Sequence, residues 1–248
     1  MATFWSGTSN IELVEKNKKA FPPAFQSGSR LAYYSSLFNS LEINSTFYKL
    51  PLPVTLEKWA LEVPAEFRFT LKVWREITHS THLLFPHGHI EKFMGIANHM
   101  GDKKGALLVQ LPASTDSSHS PQLEMVLEKI QQLNPPNGWK VAVEFRHPSW
   151  YNEQTRSLLE RHRAALVWHD RPLRADVSAE SPFIYLRFHG PKGDYKGSYS
   201  DVFLQDKAYQ IQDWLTKGKN VYAYFNNTIE GDAPRNLMTL NNMVENSA

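Results

Sequence analysis

The chain has 248 residues, of which 42% are hydrophobic and none is cysteine, and its formal net charge at pH 7 is +2. The absence of cysteine excludes disulfides, thiolate nucleophiles and cysteine-ligated zinc. So small a net charge does not by itself indicate a nucleic-acid or membrane partner. No stretch approaches about 18 uninterrupted apolar residues, and the first ten residues do not resemble a secretory signal. We therefore expect a cytoplasmic protein without membrane spans.

Eight short apolar runs recur along the chain, and most are nearly continuous, as strands of a helix-covered parallel sheet tend to be. Between most of them lie segments whose apolar residues recur about every 3.6 residues, which predicts helices. The runs occupy residues 3–7, 41–44, 68–73, 106–111, 140–145, 165–170, 183–188 and 221–226. The predicted helical segments occupy 30–38, 54–63, 90–100, 121–133, 153–162, 208–218 and 233–244.

This alternation predicts an α/β fold with a parallel sheet. Eight repeats in a chain of this length match a (β/α)8 barrel of the TIM type, which we predict as a single domain over residues 1–248. The stretch 171–182 has little helical pattern, so the predicted barrel has a missing or irregular helix after its sixth strand. A doubly wound open sheet is the alternative, but GTSN at 7–10 is not the GxGxxG turn that such folds carry after their first strand.

Polar residues near the C-terminal ends of these runs fall on one side of each strand. In a barrel, alternate residues face the interior, and chemistry takes place where the strands end at the C-terminal face. The residues on this side are Glu42, Asn44, Lys72, Gln110, Glu144, Arg146, Trp168, Asp170, Arg187, His189 and Asn226. We predict that they converge on a common mouth. Their charges could also form a self-neutralising structural network, but the position at the strand ends favours a function.

Seven segments carry a resemblance to a known family, and they occur in the family's order. They are EINSTFYKLP (42–51), FRFTLKVWREITH (67–79), LLVQLPAS (107–114), VAVEFRHPSW (141–150), WHDRP (168–172), YLRFHG (185–190) and YAYFNNTIEGDAPRN (222–236). These segments resemble the YecE-like family, also called domain of unknown function 72. The resemblance implies a TIM-type barrel and no established activity. The first loop, 6–25, lacks the Gly-Trp and the nearby Tyr and Trp of many members, so the resemblance implies no role for that loop.

Binding of an anion is the first chemistry that these residues suggest. Lys72, Arg146 and Arg187 could hold a phosphate or carboxylate by charge-assisted hydrogen bonds, with His189 as a further donor. The loop 190–200 follows the seventh run and is rich in glycine and lysine, and barrel enzymes often bind phosphate after strands seven and eight. A solvated connection is an equally good interpretation of this loop.

General acid–base catalysis is the second chemistry that these residues suggest. Two carboxylates in different surroundings can have their pKa values pushed apart and act as an acid and a base. Glu144 and Glu42 are the candidates, Asp170 is a neighbouring carboxylate, and His189 is a candidate proton shuttle. The groups predicted to orient a substrate by hydrogen bonds are Asn44, Gln110 and Asn226.

A divalent metal site is less favoured, and we predict no cofactor. The acidic residues and His189 are suitable ligand types, but the cationic side chains would repel a metal ion. His169 has the opposite parity to Asp170 and is predicted to point toward a helix. Lys72 could form a Schiff base if its pKa were depressed, but an ion pair with Glu42 on the adjacent strand, which would raise the pKa, is favoured.

The favoured hypothesis is therefore a barrel enzyme that acts on a small-molecule or phosphate-bearing anionic substrate by acid–base chemistry. It would be a hydrolase, lyase or isomerase without a redox cofactor. The alternative is a non-catalytic module that binds nucleic acid or a nucleotide at the same mouth, with bases stacked on Trp74, Tyr195 and Tyr199. The histidine-rich stretch 79–89 lacks the spacing of a zinc site and is predicted to be a loop covering the mouth. The sequence indicates no oligomeric state.

Overall fold

The computed structural model describes residues 2–86, 88–171 and 181–246. Strands within these ranges are β1 (Phe4–Thr8), β2 (Ser40–Ile43), β3 (Arg68–Lys72), β4 (Lys104–Gln110), β5 (Lys140–Glu144), β6 (Ala164–Leu166), β7 (Trp168–His169), β8 (Ile184–Phe188) and β9 (Val221–Phe225). The α-helices are α1 (Arg30–Leu37), α2 (Ser45–Tyr48), α3 (Pro53–Leu61), α4 (Arg75–Thr78), α5 (Gly88–Ala97), α6 (Ser120–Leu133), α7 (Glu153–Arg161), α8 (Asp201–Thr216) and α9 (Ala233–Asn246). Every predicted run contains strand residues and every predicted helical segment overlaps a helix, whereas the single-turn helices α2 and α4 are too short to show a periodicity.

All of the strand pairings are parallel, and they make two sheets with the orders β1-β9-β8-β7 and β2-β3-β4-β5-β6. The sheets are joined at both edges. A parallel bridge between Ser9 and Glu42 links the ends of β1 and β2. Only Val167 separates β6 from β7, and its N–H donates to the carbonyl of Val143 on β5. The strands therefore follow one another around a ring of eight positions, and the predicted TIM-type barrel is confirmed.

The alternating sides of the strands bury two separate hydrophobic clusters. The inner cluster consists of Ala106, Leu108, Ala142, Ala165, Val167, Phe183, Tyr185, Tyr222 and Tyr224, with Trp5 packed against it. The larger outer cluster takes the other side of the strands and the apolar faces of the helices. Because successive strand residues point to opposite faces, the inner cluster marks the side of each strand that faces the barrel interior.

The sixth strand departs from the predicted parity. Trp168 was expected inside, but Ala165 and Val167 belong to the inner cluster, so Trp168 points outward and the Nζ of Lys207 lies 3.8 Å from its ring centroid. His169 pairs in register with Arg187 and shares its side of the sheet. The prediction that His169 points toward a helix is therefore wrong. The predicted parity follows Asp170, but Asp170 lies just beyond the end of β7 and therefore does not report the side of that strand.

Close approach of β1 to β2 depends on Gly7. A Cβ atom at this position would lie 2.0 Å from the carbonyl oxygen of Ser40 and 2.9 Å from the hydroxyl of Tyr34. The Tyr34 hydroxyl also donates to the Ser40 carbonyl at 3.0 Å and accepts from the Thr8 N–H at 2.7 Å. Glycine is thus needed here because no side chain fits where the two sheets meet.

Several helices begin at polar residues that satisfy the free N–H groups of the first turn. The side chains of Ser29, Asn152 and Ser200 accept from backbone N–H groups of α1, α7 and α8 respectively. None of the described helices is both long and apolar enough to cross a bilayer. The predicted missing or irregular helix after the sixth strand falls mostly on residues 172–180, which lie outside the described ranges.

Candidate functional site

The centre of the barrel mouth is the guanidinium of Arg187, which is only 1% exposed. Its Nε and Nη2 donate to the two carboxylate oxygens of Glu42 at 3.0 and 2.8 Å, and its Nη1 donates to Glu144 at 2.7 Å. Tyr185, two residues before Arg187 on β8, belongs to the inner cluster. Arg187 therefore lies on the same side of the strand, nearer to the mouth. The arginine bridges two carboxylates from β2 and β5, which lie three strand positions apart in the ring.

Glu42 is fully buried, and both of its oxygens are occupied. Besides Arg187, it accepts from the hydroxyl of Ser9 at 2.5 Å and from that of Tyr185 at 2.7 Å. Burial by itself raises the pKa of this carboxyl, but the charge and hydrogen bonds of Arg187 and the two hydroxyl donors leave it below its usual value. Glu42 is therefore ionised at neutral pH. Ser9 belongs to the loop for which the family resemblance implied no role.

Glu144 is also fully buried and lies between two arginines. One of its oxygens accepts from Arg187, and the other forms an ion pair with Nη2 of Arg146. Burial raises the pKa of Glu144, but the charges of Arg187 and Arg146 outweigh it and hold the pKa well below its usual value. Glu144 thus remains a carboxylate that neutralises two cations.

His189 joins this network to Asp170. Nη2 of Arg146 lies 3.2 Å from the His189 Nε2, so Nε2 accepts and the proton resides on Nδ1, which lies 3.3 Å from Asp170. Asp170 also accepts from the backbone N–H of His189 at 2.9 Å and from the hydroxyl of Tyr199. Burial is the main cause that lowers the pKa of His189 to about 4, so its ring is neutral at pH 7.

A cleft of about 390 Å³ opens beside this network. It is lined by His79, Gln110, Pro112, Ala113, Arg146, His169, Arg171 and Tyr195. These described lining residues include two arginines and no carboxylate, because the acidic residues of the mouth are buried beneath them. The cleft therefore presents positive charge to whatever enters it.

Two side chains of the cleft have unused hydrogen-bonding groups. Nη1 of Arg146 is buried and has no hydrogen-bond partner among the described residues. His169 is buried, its Nε2 lies 3.3 Å from the carbonyl oxygen of Phe145, and its Nδ1 has no partner among the same residues. Because a carbonyl can only accept, Nε2 carries the proton and Nδ1 is a free lone pair. The site thus offers one donor and one acceptor that the protein leaves unpaired.

Lys72 is half-buried at the end of β3, and the predicted ion pair with Glu42 is wrong: no ion pair of Lys72 occurs within the part of the chain that the structure describes. Glu42 is instead paired with Arg187. The Nζ of Lys72 lies 4.2 Å from the centre of the Phe47 ring, a cation–π contact. Burial, followed by repulsion from Arg187, lowers the pKa of Lys72 to about 8.

The three predicted orienting amides lie at the mouth but are not equivalent. Gln110 lines the cleft, and its amide nitrogen donates to the carbonyl of Leu111 at 3.0 Å. The side-chain oxygen of Asn44 is buried without a partner among the described residues. Asn226 is half-buried, and its backbone N–H donates to the Phe188 carbonyl at 2.7 Å. Of these amides, Gln110 borders the open space.

The sequence profile of the family described as "Protein of unknown function DUF72" matches residues 5–248. The chain belongs to the DUF72 family. The family hypothesis drawn from the seven segments is therefore confirmed. YunF of Bacillus subtilis (strain 168), a UPF0759 protein, is 25% identical, and the match covers 87% of this chain and 86% of YunF. YecE of Escherichia coli (strain K12), also a UPF0759 protein, is 28% identical over 151 residues, and the match spans about half (54%) of that relative's length.

Solved structures of DUF72 proteins have the same fold. One from Enterococcus faecalis V583 superposes with a TM-score of 0.80 at 18% identity and covers 98% of this chain and 96% of its own. One from Thermotoga maritima MSB8 superposes with a TM-score of 0.75 at 24% identity over 98% of this chain and 99% of its own. A xylose isomerase-like TIM barrel fused to a 4-hydroxyphenylpyruvate dioxygenase gives a TM-score of 0.54 at 13% identity over 90% of this chain and 39% of its own. These identities show a shared barrel and nothing about the reaction.

In this DUF72 protein, sequence reasoning missed four groups of the mouth. Arg171 lies one residue past the predicted run, and its Nη1 donates to the hydroxyl of Tyr195 at 2.9 Å. His79 begins the stretch 79–89 that is predicted to cover the mouth, but it follows β3 through the short helix α4, so no strand parity singles it out as a cleft residue. His169 had been given the wrong parity, and Ser9 lies in the loop without family motifs. The parity of Ala165 and Val167 is the signal that could have found His169.

The carboxylates of the mouth do not form a group suited to a metal ion, because Glu42 and Glu144 are both paired with arginine. Among the described side chains, a cluster with closely spaced ligand atoms is made by Glu124 and Glu128 on the outer helix α6 and by His162, which directly follows α7. Glu124 there is paired with Arg161 at 2.8 Å.

Proposed function

We propose that this DUF72 protein is a barrel enzyme that binds a small phosphate- or carboxylate-bearing substrate in the mouth cleft and acts on it by acid–base chemistry. The observation that carries the proposal is Arg146, whose side chain lines an open cleft with no carboxylate among its described lining residues and whose buried Nη1 has no partner among the described residues. A buried unpaired N–H costs about 1–3 kcal/mol, and an anion in the cleft would satisfy it.

Arg146 and Arg171 are the anion-binding groups in this proposal. Both line the cleft, and Arg171 stacks on Tyr195 with its guanidinium carbon 5.5 Å from the ring centroid, which holds its position. Arg187 was predicted to bind substrate, but its donors already point at Glu42 and Glu144. We therefore assign Arg187, Glu42 and Glu144 to a buried frame that orients Arg146.

Proton transfer then falls to groups other than the predicted pair of glutamates. Two ionised, doubly paired carboxylates exchange protons poorly at neutral pH. His169 lines the cleft and its Nδ1 has no partner among the described residues, so we assign this lone pair the role of proton acceptor. Asp170 fixes the tautomer of His189 and so keeps the Nε2 of His189 as an acceptor for Arg146.

The alternative, a nucleic-acid-binding module, requires aromatic side chains on which bases can stack, and the structure leaves few of the predicted ones available. Tyr199 is buried and donates to Asp170, so it is not available to a base. Trp74 packs against the outer core and His89, with ring centroids 4.9 Å apart. Tyr195 alone of the three borders the cleft and is already stacked with Arg171. These contacts favour a small ligand over a stacked strand.

Calorimetric titration with inorganic phosphate and sulfate tests the anion site. Loss of one charge-assisted hydrogen bond, worth about 1.5–3 kcal/mol, weakens binding about 10-fold or more. We expect this effect for Arg171→Met. Arg156→Met is the matched control, since it removes the same charge from the exposed surface of α7 and should leave the affinity unchanged. Equal affinities in the two variants, or no saturable binding by the wild type, would contradict the proposal.

A further inference from the structure

The amine of Lys72 is placed unlike the two arginines of the buried network. Arg187 and Arg146 are each neutralised by a buried carboxylate. These pairings use both oxygens of Glu42 and both of Glu144. Asp170, the third carboxylate of the mouth among the described residues, is held by His189 and Tyr199. Within that part of the chain Lys72 therefore forms no ion pair.

An aromatic ring connects this amine to the cleft. The Nζ of Lys72 lies 4.2 Å from the centre of Phe47, and the ring of His79, which lines the cleft, packs edge-on against the same Phe47 at 4.8 Å. Backbone contacts fix Lys72 as well: its carbonyl accepts from the hydroxyl of Thr46 at 2.7 Å, and it pairs in register with Leu108. Gln110, two residues beyond Leu108, lies on the cleft wall. The amine thus lies on a strand end at the mouth, one aromatic ring away from a residue that lines the cleft.

We propose that Lys72 is the nucleophile of this cleft and forms an imine with a small aldehyde or ketone that carries a carboxylate or phosphate. The inference rests on the proposed function, because Arg146 and Arg171 would hold the anionic end of that substrate. A carbonyl compound is the appropriate class because a neutral amine adds to a carbonyl carbon without any further reagent.

The charges that face Lys72 favour the neutral amine. Arg187 and Arg146 disfavour its protonated form, Glu144 and Glu42 favour it, and burial is the largest influence. The balance lowers the pKa to about 8. At pH 7 the free amine is then about a tenth of the population, against well under a thousandth for an ordinary lysine with a pKa of about 10.4.

The reaction balances without a co-reactant. The nitrogen lone pair of Lys72 forms the C–N bond while the carbonyl π pair moves to oxygen, which takes up a proton. The nitrogen gives up one proton to solvent, so that a neutral carbinolamine forms. A second proton on the carbinolamine hydroxyl lets it leave as water while the nitrogen lone pair forms the C=N bond. Amine, carbonyl compound and one proton thus give a protonated imine and water, and the protonated imine can withdraw electrons from the neighbouring carbon of the substrate.

Competitive trace acetylation of the folded full-length protein tests the amine. Acetic anhydride is added between pH 6 and pH 11, and the modification of each lysine is measured by peptide mass spectrometry. The exposed Lys16 and Lys217 serve as internal references. We expect Lys72 to react at least about 10-fold faster than both at pH 7 and to reach half its maximal rate near pH 8. A rate no greater than the references, or no labelling at any pH, would overturn the inference.

Trapping then tests the substrate class. The protein is incubated with glyoxylate, an aldehyde with a carboxylate, or with uncharged propanal, each with cyanoborohydride to reduce an imine to a stable amine. We expect glyoxylate to label Lys72 at least about 10-fold faster than Lys16, propanal to show no such preference, and Arg171→Met to remove it. Glyoxylate labelling without preference for Lys72 overturns the inference. If phosphate does not bind but Lys72 still reacts fast with acetic anhydride, the anion site alone is overturned. Lys72→Arg keeps the charge and must abolish the adduct.

Discussion

Replacement of Arg187 by methionine is the sharpest test of the buried frame. The substitution removes three donated hydrogen bonds and leaves two fully buried carboxylates, Glu42 and Glu144. Glu144 keeps the charge of Arg146, but Glu42 keeps only the hydroxyls of Ser9 and Tyr185. One uncompensated buried charge therefore remains.

Breaking a buried ion pair in this way costs about 3–5 kcal/mol. The cost depends on pH in a direction that the structure determines. In the wild type, the pKa values of both glutamates are lowered, so their stabilising contribution is present above pH 4.5 and is lost as the pH falls. Without Arg187, burial dominates and the pKa of Glu42 rises above its usual value. The free-energy difference between variant and wild type should thus be larger at pH 7.5 than at pH 4.5.

Urea denaturation at the two pH values measures this difference. The double variant Arg187→Met with Glu42→Gln restores charge balance among the buried groups, and we expect it to recover about half or more of the loss at pH 7.5. Arg156→Met, at the exposed surface of α7, should change the free energy of unfolding by less than about 0.5 kcal/mol. A loss below about 1 kcal/mol for Arg187→Met, an equal loss at both pH values, or a double variant no more stable than the single one would refute the reasoning.

Two further substitutions test the packing of the barrel and the state of Lys72. Gly7→Ala places a Cβ 2.0 Å from the Ser40 carbonyl, so we expect a loss of about 2 kcal/mol or more in urea denaturation, whereas Gly95→Ala, where no atom lies within 4 Å, should not destabilise. Lys72→Met should raise the free energy of unfolding at pH 7 by about 1–3 kcal/mol, because the folded state holds a lysine whose pKa is lowered to about 8. The free-energy cost of keeping Lys72 charged in the folded state is complete below pH 8 and vanishes by the usual lysine pKa of about 10.4. The difference in the free energy of unfolding between Lys72→Met and wild type should therefore disappear by that pH. A constant difference across this range would show that the charged amine is not destabilised.

The fold followed from local patterns of the sequence. Apolar runs such as 106–111 and 140–145 are buried on both faces, because one side packs inside the barrel and the other beneath helices. The polar residues at the ends of these runs indicated the mouth, and Glu42, Glu144, Arg146 and Arg187 do meet there. The side of a strand on which a residue lies follows from its position along the strand, so the sequence alone predicts it wherever the strand is assigned correctly.

Which charges pair across the mouth was decided by the tertiary structure. Sequence proximity favoured Glu42 with Lys72 on the adjacent strand, but the guanidinium of Arg187 reaches both oxygens of Glu42 and leaves the Lys72 amine against Phe47. Residues outside the strands, such as Ser9, His79 and Arg171, reach the mouth through loops whose paths no periodicity describes. Sequence periodicity therefore determined the barrel and the end of it that carries the polar groups, while pairing and exposure depended on side-chain lengths and loop paths in three dimensions.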